Sequence, residues 1–188
     1  MAVLTRGADP IVTRRGLPSE PDDQKSRYLE AAVHGVLIGG LYLPNSNPGA
    51  KFDYKLRWLQ RLADYAQDLL ALDVPAVLAG DCNIMLTDLA VYKPERWLGE
   101  ALFRPEVRQG FRALLDQGWT DAPRHPHSDD KIYSLWDYFR NPWERNLGLR
   151  LYHFLLSPCR VEHRVIAEVD HKVRSWEKTS DHAGVYRA

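Results

Sequence analysis

Strand-like and helix-like hydrophobic patterns alternate along the chain. Residues 27–44, RYLEAAVHGVLIGGLYLP, are apolar and broken by glycines, which predicts either one bent strand or two paired strands. From Lys51 onward apolar residues recur at helical spacing, so a long amphipathic helix is predicted to cover the sheet. The helical positions are Phe52, Leu56, Leu59, Ala63, Ala66 and Leu70. The strand AVLAG at 76–80 then completes a strand–helix–strand pattern.

The second half of the chain continues this alternation. A second helix is predicted from Pro105, which suits a first helical turn, to Gly118. Residues 148–158 and 161–170 are predicted as strands, and SDHAGV at 180–185 leads into a last short strand. Helices and strands interleaved around one core predict an α/β fold, in one domain spanning residues 1–188.

Composition narrows the choice of function. Lys and Arg number 25 and Asp and Glu number 25, and a net charge of zero argues against a non-specific DNA-coating protein. It still permits an enzyme with a local basic groove. Cys82 and Cys159 make neither a zinc spacing nor a disulfide framework, which is typical of a reduced cytoplasmic protein. The first ten residues lack the apolar core of a signal peptide, so we expect a cytoplasmic location.

Polar side chains follow three of the predicted strands. Asp81 and Asn83 close one strand, Tyr42 ends an earlier one, and Asp181 and His182 precede the last. Strand ends are common places for active sites in α/β proteins. Asp and His can activate water, carboxylates can hold a hard divalent cation, and Asn and Tyr can donate hydrogen bonds to phosphate oxygens. Together they predict metal-assisted phosphodiester hydrolysis.

Each of these residues also has a simpler structural interpretation. Asp81 after Gly80 fits an ordinary turn, and Asn83 fits a cap of the next turn. Asp181 fits a surface loop, His182 a structural histidine and Tyr42 a half-buried strand aromatic. Only their joint occurrence favours a site.

Three separate segments resemble the exodeoxyribonuclease III family of AP endonucleases, within the endonuclease/exonuclease/phosphatase superfamily. They read LAGDCNIMLTDLAVYKPERW, YSLWDYFRNPWERNLGLRLYHFLLSP and WEKTSDHAGV, and RYLEAAVHGVLIGGLYLPNSNP matches too. The resemblance implies a DNase I-like four-layer α/β sandwich. It also implies a Mg²⁺-dependent hydrolase of base-excision repair, with Mn²⁺ as the alternative ion. Such an enzyme binds double-stranded DNA, cuts beside abasic sites and removes nucleotides from 3′ ends.

The resemblance assigns a role to each polar residue. Asp81 would orient or deprotonate the attacking water, and Asn83 would help to place it and contact the phosphate. Tyr42 would contact the scissile phosphate. Asp181 would lie near the metal, and His182 would stabilise the charge that develops on the pentacovalent phosphorus.

Four further residues are substrate-binding candidates under the same resemblance. Leu135 and Trp136 match the apolar pocket that receives a flipped-out abasic sugar, and core packing is the alternative for Trp136. Arg140 and Arg145 are candidates for phosphate contacts, although exposed arginines usually contact only water.

The chain also departs from the family pattern. It lacks the family's first strand with its Asn-containing motif and the next strand with its metal-binding glutamate, so the resemblance implies a domain incomplete at its N-terminus. Tyr152 stands where the family pattern R-I-D-H has an aspartate, which accepts a hydrogen bond from the histidine matching His182. Gly184 stands where the family usually has proline.

These departures leave two main hypotheses. The chain is either an active nuclease of this family or an inactive remnant that at most binds DNA or a protein partner. A sugar- or lipid-phosphate phosphatase of the same superfamily is a third alternative. Because missing edge elements leave apolar faces uncovered, we also expect marginal stability or self-association through the uncovered sheet face.

Overall fold

The main feature of the fold is a mixed six-stranded sheet with two long helices. The computed structural model describes residues 1–45, 49–137, 143–158 and 167–187. The sheet has the order β1-β2-β3-β4-β6-β5, and β7 and β8 form a separate two-stranded sheet. The strands are β1 (Ile11–Arg15), β2 (Tyr28–Val33), β3 (Val36–Tyr42), β4 (Ala76–Asp81), β5 (Thr120–Asp121), β6 (Tyr152–Leu156), β7 (Ala167–Val169) and β8 (Val185–Arg187). The helices are α1 (Ala50–Ala71), α2 (Pro105–Asp116) and α3 (His171–Arg174).

The apolar stretch at 27–44 folds as two paired strands, not as one bent strand. β2 and β3 are antiparallel, with Val33 opposite Val36. The turn between them is His34 and Gly35, both with positive φ. Glycine takes this conformation at little cost, which explains why the strand breaks here. β1, which the hydrophobic pattern did not predict, pairs with β2 at the sheet edge.

The predicted strand–helix–strand unit is confirmed. α1 connects β3 to β4, and these two strands are parallel neighbours in the sheet. Four of the predicted helical positions are buried, and Leu56 and Leu70 are half-buried. α2 packs on α1 so closely that a Cβ on Gly110 would lie 2.7 Å from Leu59 Cδ2. The two helices therefore share one core with the sheet.

Several predicted boundaries differ from the structure. α2 ends at Asp116, two residues before Gly118. Only Tyr152–Leu156 of the predicted strand at 148–158 is regular, because Leu149 forms isolated bridges to Val91 and Leu135 instead. Of the predicted strand at 161–170, Ala167–Val169 is a strand, and residues 161–166 lie outside the described residues. Within the described ranges, no helix has the length and apolar character needed to cross a membrane.

Candidate active site

The parallel pairing of β3 and β4 brings Tyr42 and Asp81 side by side. Their Cα atoms are direct partners in the register, at the carboxyl ends of both strands. Gly80 permits this approach, because a Cβ there would collide with the carbonyl oxygen of Leu41. Tyr42 is 43% exposed, and the Arg27 guanidinium lies 5.2 Å from its ring centroid. A tyrosine hydroxyl and a carboxylate thus share one edge of the sheet.

Asn83 shapes the turn that follows Asp81. Its backbone N–H donates to Asp81 Oδ1 at 2.9 Å, and its side-chain Nδ2 donates to the carbonyl oxygen of Leu43 at 3.0 Å. Asn83 is buried and has a φ of 48°, a left-handed conformation that asparagine tolerates better than most residues. The amide nitrogen of Asn83 therefore holds the turn, and its predicted phosphate contact stays a prediction.

The Asp81 carboxyl lies in a setting suited to a general base. Burial raises its pKa above the ordinary value, and the Asn83 N–H together with His182, His153 and Lys55 partly offsets that effect. A carboxylate with a raised pKa accepts a proton more readily than an exposed one. Asp81 can therefore take a proton from water.

β6 places Tyr152 directly opposite Asp81 in antiparallel register. Burial raises the pKa of the half-buried Tyr152, and the charges of Asp81, Asp181 and Tyr42 raise it further. The Tyr152 ring meets the His182 ring edge-on, with centroids 5.3 Å apart and an interplanar angle of 89°. The five predicted site residues Tyr42, Asp81, Tyr152, Asp181 and His182 therefore converge on one region.

Backbone bonds hold Asp181 and His182 in place against the segment at 134–136. The backbone N–H of Trp136 donates to the Asp181 carbonyl at 2.8 Å, and Leu135 forms a bridge with His182. His182 Nε2 lies 3.9 Å from Asp181 Oδ1, and both side chains are about one-third exposed. His182 Nδ1 is buried and has no hydrogen-bond partner among the described residues.

The four substrate-binding candidates do not share one environment. Trp136 is 0% exposed and packs against Trp143 with ring centroids 4.8 Å apart, the arrangement that the core-packing alternative expects. Leu135 is half-buried and Arg145 is exposed. Arg140 lies outside the described residues. The proposed roles of all four in binding substrate stay predictions.

A buried polar cluster lies beneath the site and was not predicted from the sequence. Arg150 forms an ion pair with Asp121, and His153 Nδ1 lies 3.5 Å from Asp121 Oδ2. Burial works to raise the pKa of Asp121, but Arg150 and His153 more than offset it and hold that pKa well below its usual range. His153 Nε2 also contacts the carbonyl oxygen of Ile84 at 3.1 Å. The cluster ties β5 and β6 to the chain that follows Asp81.

The resemblance implies a divalent cation, so the side chains at the site must supply ligands that suit one. Among the described residues, no group of three or more His, Cys, Asp or Glu side chains is placed to hold a metal ion. Within the part of the chain that the structure describes, Asp81 and Asp181 are the carboxylates whose charges raise the pKa of Tyr152. Mg²⁺ commonly uses one or two protein carboxylates and takes its other ligands from water and substrate phosphates. The residues fit such a hydrated ion and do not form a protein-only cage.

Comparison with known proteins agrees with this geometry. The family model described as the endonuclease/exonuclease/phosphatase family matches residues 5–182. Exodeoxyribonuclease III of Haemophilus influenzae is 33% identical over 202 residues, which cover 99% of this chain and 74% of that protein. DNA repair nuclease APEX1 of Danio rerio is 30% identical over 181 residues, and this chain spans only 56% of its length.

A solved structure supports the same relationship. The AP endonuclease of Archaeoglobus fulgidus superimposes with a TM-score of 0.89 at 31% identity, covering 96% of this chain and 71% of that chain. This likeness confirms the predicted DNase I-like α/β fold. Because the family model matches nearly the whole chain and the Haemophilus protein matches over most of its own length, this chain belongs to the endonuclease/exonuclease/phosphatase family, in the branch of the exodeoxyribonucleases III and AP endonucleases.

Proposed function

We propose that this protein hydrolyses phosphodiester bonds in double-stranded DNA, beside abasic sites and at 3′ ends. The observation that carries the proposal is the convergence of Tyr42, Asp81, Asp181 and His182 around Tyr152 at the carboxyl ends of β3 and β4. The names of the relatives, exodeoxyribonuclease III and AP endonuclease, support DNA as the substrate class.

Each site residue has a separate role in the proposed hydrolysis. Asp81, whose pKa burial raises, takes a proton from the attacking water. The Tyr42 hydroxyl and the His182 imidazole stabilise the negative charge that develops on the phosphate oxygens. A hydrated Mg²⁺ or Mn²⁺ held at Asp181 would supply further positive charge there.

The second candidate function is an inactive domain that binds DNA or a protein partner. The observation that favours it is at His182, whose buried Nδ1 has no partner among the described residues and whose ring meets Tyr152. Self-association stays a prediction that nothing in the relatives supports, although Ile11 and Val12 are exposed on the edge strand β1. A cytoplasmic location also stays a prediction.

Cleavage of an end-labelled DNA duplex with one abasic analogue tests the proposed function. The wild-type protein is expected to cut beside the analogue with Mg²⁺ and not with EDTA. Asp81→Asn keeps an acceptor for the Asn83 N–H but cannot take a proton, so its rate should fall by at least about 100-fold, the lower part of the range for general acid–base catalysis.

The matched control is Asp68→Asn, which changes an exposed aspartate on α1. It should cut at the wild-type rate. Folded wild-type protein that binds the duplex without cutting it would instead support the inactive binding domain. Cutting that persists in Asp81→Asn would remove Asp81 from the proposed mechanism.

A further inference from the structure

A fully buried lysine lies beneath the turn that follows Asp81. Lys55, on α1, is 0% exposed, and its Nζ donates to the backbone carbonyl oxygen of Asn83 at 2.7 Å. Lysines are almost never fully buried unless they are paired, because desolvating an ammonium group costs free energy. The mechanism proposed above does not use Lys55.

The contacts of Lys55 give no reason, in terms of stability alone, for burying its ammonium group. No acidic group of the described residues lies within ion-pair distance of its Nζ, and its hydrogen-bond acceptor is a neutral carbonyl. Lys55 follows Phe52 by three residues and precedes Leu59 by four, so it lies on the apolar face of α1. An apolar side chain of similar length would fill this position at lower cost. Residues that lower stability without an evident structural gain are concentrated at functional sites.

The turn that Lys55 contacts is held from three directions. The Asn83 backbone N–H donates to Asp81, the Asn83 side chain donates to Leu43, and the Asn83 carbonyl accepts from Lys55. These bonds fix the left-handed conformation of Asn83. Since Asp81 Oδ1 accepts the Asn83 N–H, the orientation of the Asp81 carboxylate depends on the position of Asn83. Lys55 is therefore linked to the proposed general base by hydrogen bonds through one intervening residue, Asn83.

We propose that Lys55 is a positioning residue, which anchors the Asn83 carbonyl and so orients the Asp81 carboxylate for proton transfer. Its catalytic consequence rests on the proposed function, whereas its structural consequence does not. The charge of Lys55 also reaches the site, because it partly offsets the effect of burial on the pKa of Asp81. Burial lowers the pKa of Lys55 itself to about 8, and Cys82 and Asp81 partly oppose that shift.

The test replaces Lys55 with methionine, which keeps most of the length of the side chain and removes the donor. The matched control is Lys51→Met, because Lys51 lies one turn earlier on α1 and is exposed. Both variants are compared with wild type for single-turnover cleavage at saturating abasic duplex, duplex affinity, melting temperature and amide hydrogen exchange at residues 81–86.

Lys55→Met should reduce the single-turnover rate by about 10- to 100-fold, the order of loss that a misplacement of about 1 Å causes. Duplex affinity should stay within about twofold, because Lys55 does not reach the surface. The melting temperature should not fall, and the Asn83 amide should exchange faster with solvent. Lys51→Met should match wild type in all four measurements.

The possible contrary results separate this proposal from the proposed function. A wild-type rate in folded Lys55→Met would overturn the positioning role, as would a loss of rate matched by a loss of melting temperature. If wild type itself does not cut DNA, the proposed function fails, and hydrogen exchange still decides the role of Lys55. Unchanged exchange at Asn83 would then overturn it. Should Lys55→Met not fold, Lys55→Leu, which also removes the donor, serves in the same measurements with the same expected and contrary results.

Discussion

At the scale of single residues, the most unusual feature of the candidate site is the contact between Tyr152 and His182. The ring of Tyr152 packs edge-on against the His182 ring, and His182 Nδ1 is buried without a partner among the described residues. A buried nitrogen without a hydrogen bond costs about 1–3 kcal/mol. A carboxylate at position 152 would instead accept a hydrogen bond from Nδ1 and hold the ring in one tautomer.

Tyr152→Asp is therefore expected to raise the rate of abasic-duplex cleavage by at least about tenfold. Losing the comparable aspartate of a serine-protease triad costs on the order of 10⁴, which bounds the gain from above. The new negative charge lies beside Asp81 and Asp181, so the melting temperature should fall. Single-turnover kinetics and thermal melting measure the two effects.

The control for this exchange is Tyr152→Phe, which keeps the ring and removes the hydroxyl. It should show no gain in rate. Equal rates in Tyr152→Asp and Tyr152→Phe would mean that the partner of His182 does not limit cleavage.

At the scale of secondary structure elements, Glu30 joins β1, β2 and α1. It is 3% exposed and accepts three hydrogen bonds, from Thr13 Oγ1 at 2.6 Å, Tyr28 at 2.7 Å and Tyr65 at 2.9 Å. The donors come from a different element in each case. This network attaches the edge strand β1 and the helix α1 to the strand between the edge and the site.

Glu30→Ala is expected to lower the free energy of unfolding by about 3 kcal/mol, because it leaves two buried tyrosine hydroxyls without their acceptor. Urea unfolding measures this loss. Glu30→Gln keeps one acceptor oxygen and should lose about half as much, whereas Glu106→Ala, at an exposed position of α2, should change little. A loss in Glu30→Ala no larger than in Glu106→Ala would show that the network does not hold β1 in place.

At the scale of the whole molecule, burying the Asp81 carboxylate lowers the free energy of unfolding. Burial raises the pKa of Asp81 above its ordinary value of 3.8, so the folded protein binds more protons than the unfolded chain just above that pH. Stability consequently falls as the pH rises from 3.8 through the folded pKa of Asp81. At neutral pH the full cost of the buried charge is present.

Asp81→Asn is therefore expected to raise the melting temperature at pH 7 by about 2–4 °C, which corresponds to about 1 kcal/mol in a chain of this size. The gain should shrink as the pH falls toward 4, because Asp81 of the wild type then becomes protonated. Thermal melts of Asp81→Asn and Asp68→Asn over this pH range measure it. A gain that stays constant with pH would contradict an origin in the charge of Asp81.

The amino-acid sequence by itself determined the order of the long helices and of most strands, and the polar residues that follow the strands. Periodicity is local, so the pattern from Phe52 to Leu70 was enough to predict α1, and Asp81 and Asn83 were visible directly after the apolar run of β4. Lys55 was also visible as a cation on the apolar face of α1, although nothing local indicated what it contacts. The strand β1 was missed because only Ile11 and Val12 of its five residues are apolar, which is too short a pattern to predict a strand.

Only the tertiary structure decided which of these residues meet. Tyr42, Asp81 and Tyr152 are separated by long stretches of sequence, and the registers of β3 with β4 and of β4 with β6 place them side by side. A strand register is set by pairing and packing over the whole sheet, so a local pattern does not contain it. The burial of Trp136 and the bond from Lys55 to Asn83 depend in the same way on elements far apart in the chain. The physical reason is that burial and hydrogen-bond partners are properties of the packed core, whereas periodicity is a property of the chain.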